Sequence, residues 1–349
     1  MNLRSLLAAA FGMTAVALAQ SDVFRVSTDL VVVDAQVVGK KTGRTIGALK
    51  QEDFVLAEDG VKQNIAFFSQ NELPLSIVFL FDLTDSVRPV LKPLATGALE
   101  ALQHLKPEDE TAVMVYAASA QIVQDFTTDR ALTVATMQKA SEMESDEPAF
   151  FNEGVYQAAV QSSKAANPSS RRVIIWLTDN VPNVPSEFMR RHFGKSVPAG
   201  GLHTESDAFQ KLFETGAVVS SLVERSAMSD FFIVVAKRNP MFALGRMHNP
   251  PGDVYKYTAE TGGQVMTSNK QDVAAKLAAL IDQIRTRYSL GYRPAADPPA
   301  GKFCEIKLSV SPEVVKREGQ LQVKAKRGYY RRPQMNADEA NVQGSRSIR

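Results

Sequence analysis

The spacing of apolar side chains changes twice along this chain. Over residues 30–38 they alternate, with Val31, Val33, Ala35 and Val37 on one parity and Asp34 and Gln36 on the other, which predicts a half-buried strand. Asp59-Gly60 then separates Phe54-Val55-Leu56 from Ile65-Ala66-Phe67-Phe68, a turn signal between two extended segments. Further on, short apolar runs, often β-branched, alternate with helical spacing. The runs at 76–81, 112–117, 122–126, 173–177, 231–236 and 264–267 predict six strands. Leu91, Leu94, Ala98, Leu102 and Leu105 recur every three or four residues, as do Val273, Leu277, Leu280, Ile284 and Tyr288; both sets predict core-facing helices. Such alternation predicts a parallel sheet covered on both faces. Gly262-Gly263 predicts a left-handed cap closing a short helix before the sixth strand.

After Tyr288 the period returns to two. Cys304, Ile306, Leu308 and Val310 share one parity, then Leu321, Val323 and Ala325 another, with polar Lys307, Gln322, Lys324 and Lys326 as their outward partners. Terminal β segments of about 45–55 residues would each struggle to bury a core. The expected architecture is therefore α/β: a doubly wound, mostly parallel sheet over residues 74–287, inserted in a β-sandwich that residues 20–73 and 288–332 form together. Residues 333–349 carry little apolar content and read as a disordered tail.

The first residues stand apart. Arg4 precedes an apolar run over 6–18 that ends in Ala17-Leu18-Ala19. The run is too short for a hydrocarbon layer of about 30 Å, and small residues at 17 and 19 suit a signal peptidase. Residues 1–19 thus predict a signal peptide and an exported protein, periplasmic or secreted, with no stable membrane span.

Composition narrows the chemistry. Hydrophobic residues make up 44% and charged ones 22% of 349, which excludes disorder as a global state. Forty basic against 38 acidic side chains leave a net charge of +2, without the clustered basic excess that nucleic acid as the main partner would need. Cys304 is the single cysteine, so neither an intrachain disulfide nor a cysteine zinc site can form, and its inward parity predicts a small buried hydrophobe. His104, His192, His203 and His248 show no zinc spacing, and the chain has no G-x-S-x-G elbow and no phosphate-binding G-x-x-x-x-G-K loop. No nucleophile–base pattern emerges, and the expectation is a protein that is not an enzyme. Trp176, inside an apolar strand, is expected in the core.

One pattern remains. The run Ile77-Val78-Phe79-Leu80-Phe81 ends in Asp82-Leu83-Thr84-Asp85-Ser86, placing D-x-T-x-S at the carboxyl end of a strand, where open α/β sheets collect ligands. Asp82, Thr84 and Ser86 share a parity and offer three hard oxygen donors, suited to Mg²⁺ or Mn²⁺. The same hydroxyls could instead cap the following turn or helix. The loop over 181–205, with Pro182, Pro185, Pro198 and Arg190-Arg191-His192, begins just after Asp179 and is either a solvated basic loop or a partner-contacting lid.

An apolar strand ending in D-x-[ST]-x-S, with a later one ending in Thr178-Asp179, resembles a von Willebrand factor type A (VWA) domain. The flanks Leu49-Lys50-Gln51-Glu52-Asp53-Phe54, Glu58-Asp59-Gly60-Val61-Lys62-Gln63, Tyr288-Ser289-Leu290-Gly291-Tyr292 and Arg327-Gly328-Tyr329-Tyr330 are similar to the VWFA-related family described in acidobacteria. The resemblance implies a VWA/Rossmann-like fold and a metal site in which Asp82, Thr84 and Ser86 form the first loop and Asp179 the third. Where the family usually supplies a second-loop threonine this chain has Phe151-Asn152-Glu153, with Glu153 at or beside the position. A carboxylate there either ligates the ion or marks a degenerate site. Two functions follow: an exported adhesion-type module that takes a protein or peptide partner through an acidic side chain on the metal, or a structural envelope scaffold whose site has decayed.

Overall fold

The computed structural model describes residues 30–70, 73–145, 147, 149–180, 203–224, 253–295 and 299–331. The expected signal peptide at 1–19, the strand at 231–236, the loop up to residue 202 and the tail at 333–349 lie outside the described residues.

Four strands come first: β1 (Val31–Gly39), β2 (Phe54–Glu58), β3 (Val61–Gln63) and β4 (Ile65–Gln70). Asp59 and Gly60 join β2 to β3 with φ of 48° and 81°. A two-residue hairpin loop needs that left-handed backbone, which Asp tolerates and Gly adopts freely. Next come β5 (Leu75–Asp82), α1 (Arg88–Leu102), β6 (Glu110–Tyr116), β7 (Ala120–Thr127), α2 (Arg130–Glu142), α3 (Phe151–Ser162) and β8 (Arg171–Thr178). They are followed by α4 (Glu205–Thr215), β9 (Val218–Glu224), α5 (Val254–Thr261), β10 (Val265–Ser268), α6 (Val273–Arg285) and β11 (Tyr288–Tyr292). The described chain closes with β12 (Phe303–Val310), α7 (Pro312–Glu318), β13 (Leu321–Ala325) and β14 (Gly328–Tyr330).

The central sheet runs β10-β9-β8-β5-β6-β7, parallel except for the β7 edge. All eight residues of β5 are buried because helices cover both faces. Leu75, Ile77, Phe79 and Phe81 pack with α1, α2 and α6, while Val78 and Leu80 pack with α3, α4 and α5. Two antiparallel four-stranded sheets flank this unit, ordered β13-β1-β11-β4 and β14-β12-β2-β3. Each mixes strands from before and after the central sheet. Ala35, Val37, Tyr288 and Leu290 of the first meet Phe54 of the second and Val314 of α7 in one apolar cluster.

Three expectations change. The helix through Ile284 stops at Arg285, and Tyr288 opens β11, a strand hidden on both sides by β1 and β4. A strand at β9 was not expected, because Ser220 and Ser221 interrupt its apolar run; Ser221 spends its hydroxyl on the Trp176 carbonyl at 2.6 Å. Finally β1 is not half-buried. Gln36 is 1% exposed and Asp34 reaches Arg171 at the start of β8, so its polar face is covered too.

Contacts to the flanking sheets gather at the amino end of the central sheet. Arg171 opens β8, Phe213 at the end of α4 lies 5.2 Å from Phe303, and a Cβ on Gly262, the cap of α5 with φ of 79°, would come within 2.3 Å of the Ala325 backbone. The carboxyl edge is thereby left for the site.

Candidate functional site

At the carboxyl end of β5 the chain turns through Leu83 into α1. Asp82 is fully buried, and each of its oxygens accepts two hydrogen bonds. Oδ1 accepts from the Thr84 backbone N at 2.9 Å and its hydroxyl at 2.8 Å. Oδ2 accepts from the Tyr116 hydroxyl at 3.0 Å and the Thr178 hydroxyl at 3.1 Å. Thr84 Oγ1 lies 3.3 Å from Ser86 Oγ, and Ser86 donates to Asp179 Oδ2 at 2.5 Å. Asp82, Thr84, Ser86 and Asp179 thus form one continuous chain of oxygens, assembled from residues far apart in sequence by the parallel pairing of β5 with β8.

That arrangement separates two roles for the hydroxyls. Among the described residues no side chain caps α1, whose N-cap is Val87, although Thr84 and Ser86 stand directly before it. Both hydroxyls turn to the carboxylates instead. The backbone alone starts the helix, with the Thr84 carbonyl accepting from Val87 and Arg88.

Burial raises the Asp82 carboxyl to about 6, with the negative charge of Asp179 adding to it and the Thr84 and Tyr116 bonds opposing. Burial, with the Asp82 charge, also lifts Tyr116 well above the phenol range, so its hydroxyl stays a donor. Trp176 Nε1 donates to that hydroxyl at 2.9 Å and fixes the ring. Asn180, with φ of 56°, takes up left-handed backbone directly after Asp179; its N donates to Thr178 Oγ1 and its Oδ1 accepts from the Val254 backbone N.

Glu153 lies in the first turn of α3 with different partners. Its Oε2 meets His203 Nδ1 at 2.6 Å and accepts from the His203 backbone N at 3.2 Å, while Oε1 accepts from Gln157 at 2.9 Å. The His203 ring stacks on Tyr156, with centroids 3.4 Å apart. Neighbouring Asn152 accepts from the Tyr257 hydroxyl at 2.9 Å. Tyr116 escaped the sequence because it merely closes an apolar strand, and Thr178 is singled out there only as the residue before Asp179; only the register Asp82↔Tyr116 puts that phenol beside the carboxylate.

As a cation donor set, Asp82, Thr84, Ser86 and Asp179 are all hard oxygens, and the charge of Asp179 beside the buried Asp82 carboxyl suits a positive charge between them. Among the described residues no group of three or more His, Cys, Asp or Glu is arranged to hold a metal, so hydroxyls must complete any such set.

The sheet order, its antiparallel edge and the D-x-T-x-S loop beside Asp179 agree with the von Willebrand factor type A fold that the sequence motifs resemble, here with flanking antiparallel sheets. No protein-family model and no curated protein sequence matches the chain. Solved structures similar to it include the conserved hypothetical protein BatB from Bacteroides thetaiotaomicron, at 13% identity and a TM-score of 0.38, over 60% of this chain and 98% of that one. The PilB minor pilin from Streptococcus sanguinis aligns at 12% identity and a TM-score of 0.40, over 61% of this chain and 62% of PilB. A von Willebrand factor type A protein from Catenulispora acidiphila aligns at 11% identity and a TM-score of 0.39, over 91% and 79%.

Proposed function

We propose that the carboxyl edge of the central sheet binds a protein or peptide partner, with Asp82, Thr84, Ser86 and Asp179 holding Mg²⁺ or Mn²⁺. Such an ion supplies a positive charge to which an acidic side chain of the partner can coordinate. Asp82 is positioned by Tyr116 and Thr178, and Ser86 by Asp179. The observation that carries this reading is the turning of the Thr84 and Ser86 hydroxyls away from α1 and onto the carboxylates. We further infer a non-catalytic, exported protein, its flanking sheets forming one β-sandwich around the VWA unit, as in the VWFA-related family that its flanking motifs resemble. Among the described residues no helix is long and apolar enough to cross a membrane. A second reading, an envelope scaffold with a degenerate site, is favoured by the engagement of Glu153 with His203.

Calorimetry separates the two. A cation bound by the folded state alone raises the melting temperature, by about 2.7 kcal/mol of stability at a hundredfold excess over Kd. Mg²⁺ is expected to raise the melting point of the unmutated protein and to leave Asp82→Ala unmoved. Equal melting of the unmutated protein in Mg²⁺ and in EDTA would favour the scaffold.

A further inference from the structure

A second set of oxygens stands at the same sheet edge, on the face of α1 and α6. Side chains of a strand alternate between faces, and Leu177, Leu222 and Met266 pack on the α1/α6 side. Asp179, Glu224 and Ser268 each follow one of these by two residues and leave the sheet on that side. The pairs Thr178↔Val223 and Ser268↔Glu224 set the three in a row across β8, β9 and β10, with neighbouring strands about 4.8 Å apart.

Glu224 is 8% exposed and Ser268 2%, yet among the described residues Glu224 Oε2 and Ser268 Oγ have no hydrogen-bond partner. Leaving a buried polar atom unpaired costs about 1–3 kcal/mol, and more for a charged one. Burial, and then the charge of Asp179, push the Glu224 carboxyl above its ordinary range, with Lys270 opposing. A water could donate to these oxygens, but the two carboxylates would still face each other. A small hard cation shared by these oxygens would satisfy both carboxylates at once.

We propose that Asp179, Glu224 and Ser268 bound a second hard-cation subsite that shares Asp179 with the Asp82 loop. Through that shared carboxylate it extends the metal reading given above, and the two are separable because Asp82 serves only the first position and Glu224 only the second.

Equilibrium dialysis of the full chain against Mn²⁺, with bound metal counted per chain, tests it. The unmutated protein is expected to take two ions, Glu224→Gln one, Asp82→Ala one and the double variant none. If Glu224→Gln binds as many ions as the unmutated chain, the subsite falls and the Asp82 loop stands. A single ion that survives Asp82→Ala but not Glu224→Gln overturns the loop and keeps the subsite; no bound ion in the unmutated chain overturns both. In EDTA, Glu224→Gln is expected to melt no lower than the unmutated protein, because it removes a negative charge beside Asp179. Should that variant misfold, Ser268→Ala decides: a roughly tenfold weaker second ion, equal to about 1.4 kcal/mol, supports the subsite, and unchanged affinity overturns it.

Discussion

Arg171, the first residue of β8, donates from Nε to Asp34 Oδ1 of β1 at 3.0 Å, joining the central sheet to a flanking one. The Arg171 side chain is buried and that of Asp34 largely enclosed. Ser289 donates to the same Asp34 oxygen at 2.6 Å, and Arg171 also reaches the Ile284 carbonyl and the Ser289 hydroxyl. Arg287 donates to the Asp34 and Gly262 carbonyls. Burial alone would raise the Asp34 carboxyl, but Arg171, Ser289 and Arg287 outweigh it and hold the carboxyl below its ordinary range.

Asp34→Asn is therefore expected to destabilise the protein by about 3–5 kcal/mol at neutral pH, since it leaves two guanidinium groups buried without their anion. A carboxylate with a depressed folded pKa contributes stability above its unfolded value of about 3.9 and loses it as pH falls through the folded value. The gap between wild type and variant in urea unfolding should be full at pH 7 and shrink below pH about 4. A gap that persists unchanged in acid would rule out the charge as its source.

Gly154 of α3 leaves room for the ring that holds Asp82. A Cβ there would lie 2.8 Å from Tyr116 Cγ and Cδ2, too close for the ring to stay. Gly154→Ala is expected to cost about 1–3 kcal/mol through overpacking. Tyr116→Phe, which keeps the ring but leaves Trp176 Nε1 unpaired, should cost about the same through the lost hydrogen bonds. Chemical denaturation measures both; a neutral Gly154→Ala would show that the ring can move aside freely.

Glu153 tests the second loop. While His203 and Gln157 hold its oxygens, Glu153→Thr should leave Mn²⁺ affinity within about twofold of wild type, a difference well below 1 kcal/mol. His203→Ala releases Oε2, so a gain in Mn²⁺ affinity in that variant, lost again in the double variant, would identify Glu153 as a latent ligand. If Glu153→Thr alone weakens Mn²⁺ binding strongly, Glu153 ligates in the resting protein.

Deleting residues 300–331 removes β12, β13 and β14, the partners of β2 and β1. Hydrogen exchange over residues 30–68 is expected to rise with the deletion, because a lone flanking segment buries too little to hold its strands. Retained protection there would mean that the amino-terminal strands stand by themselves.

Periodicity alone determined much of this protein. The alternation of Val33, Ala35 and Val37, the helical spacing of Leu91 to Leu102 and the apolar run into Asp82 each describe a local surface that one element must bury, and each lies where its spacing puts it. The D-x-T-x-S loop was legible for the same reason, since three donors within five residues need only one turn to converge. Tertiary structure decided the rest. Tyr288–Tyr292 became a central strand because two strands from elsewhere in the chain cover it, which no local period can signal. Asp34 sits largely enclosed because Arg171, 137 residues away, neutralises it. Tyr116, Thr178, Asp179 and Glu224 reach one sheet edge only through parallel pairing, whose partners are joined by long crossovers. Such register is fixed by the packed helices on both faces, and a single strand's sequence does not contain it.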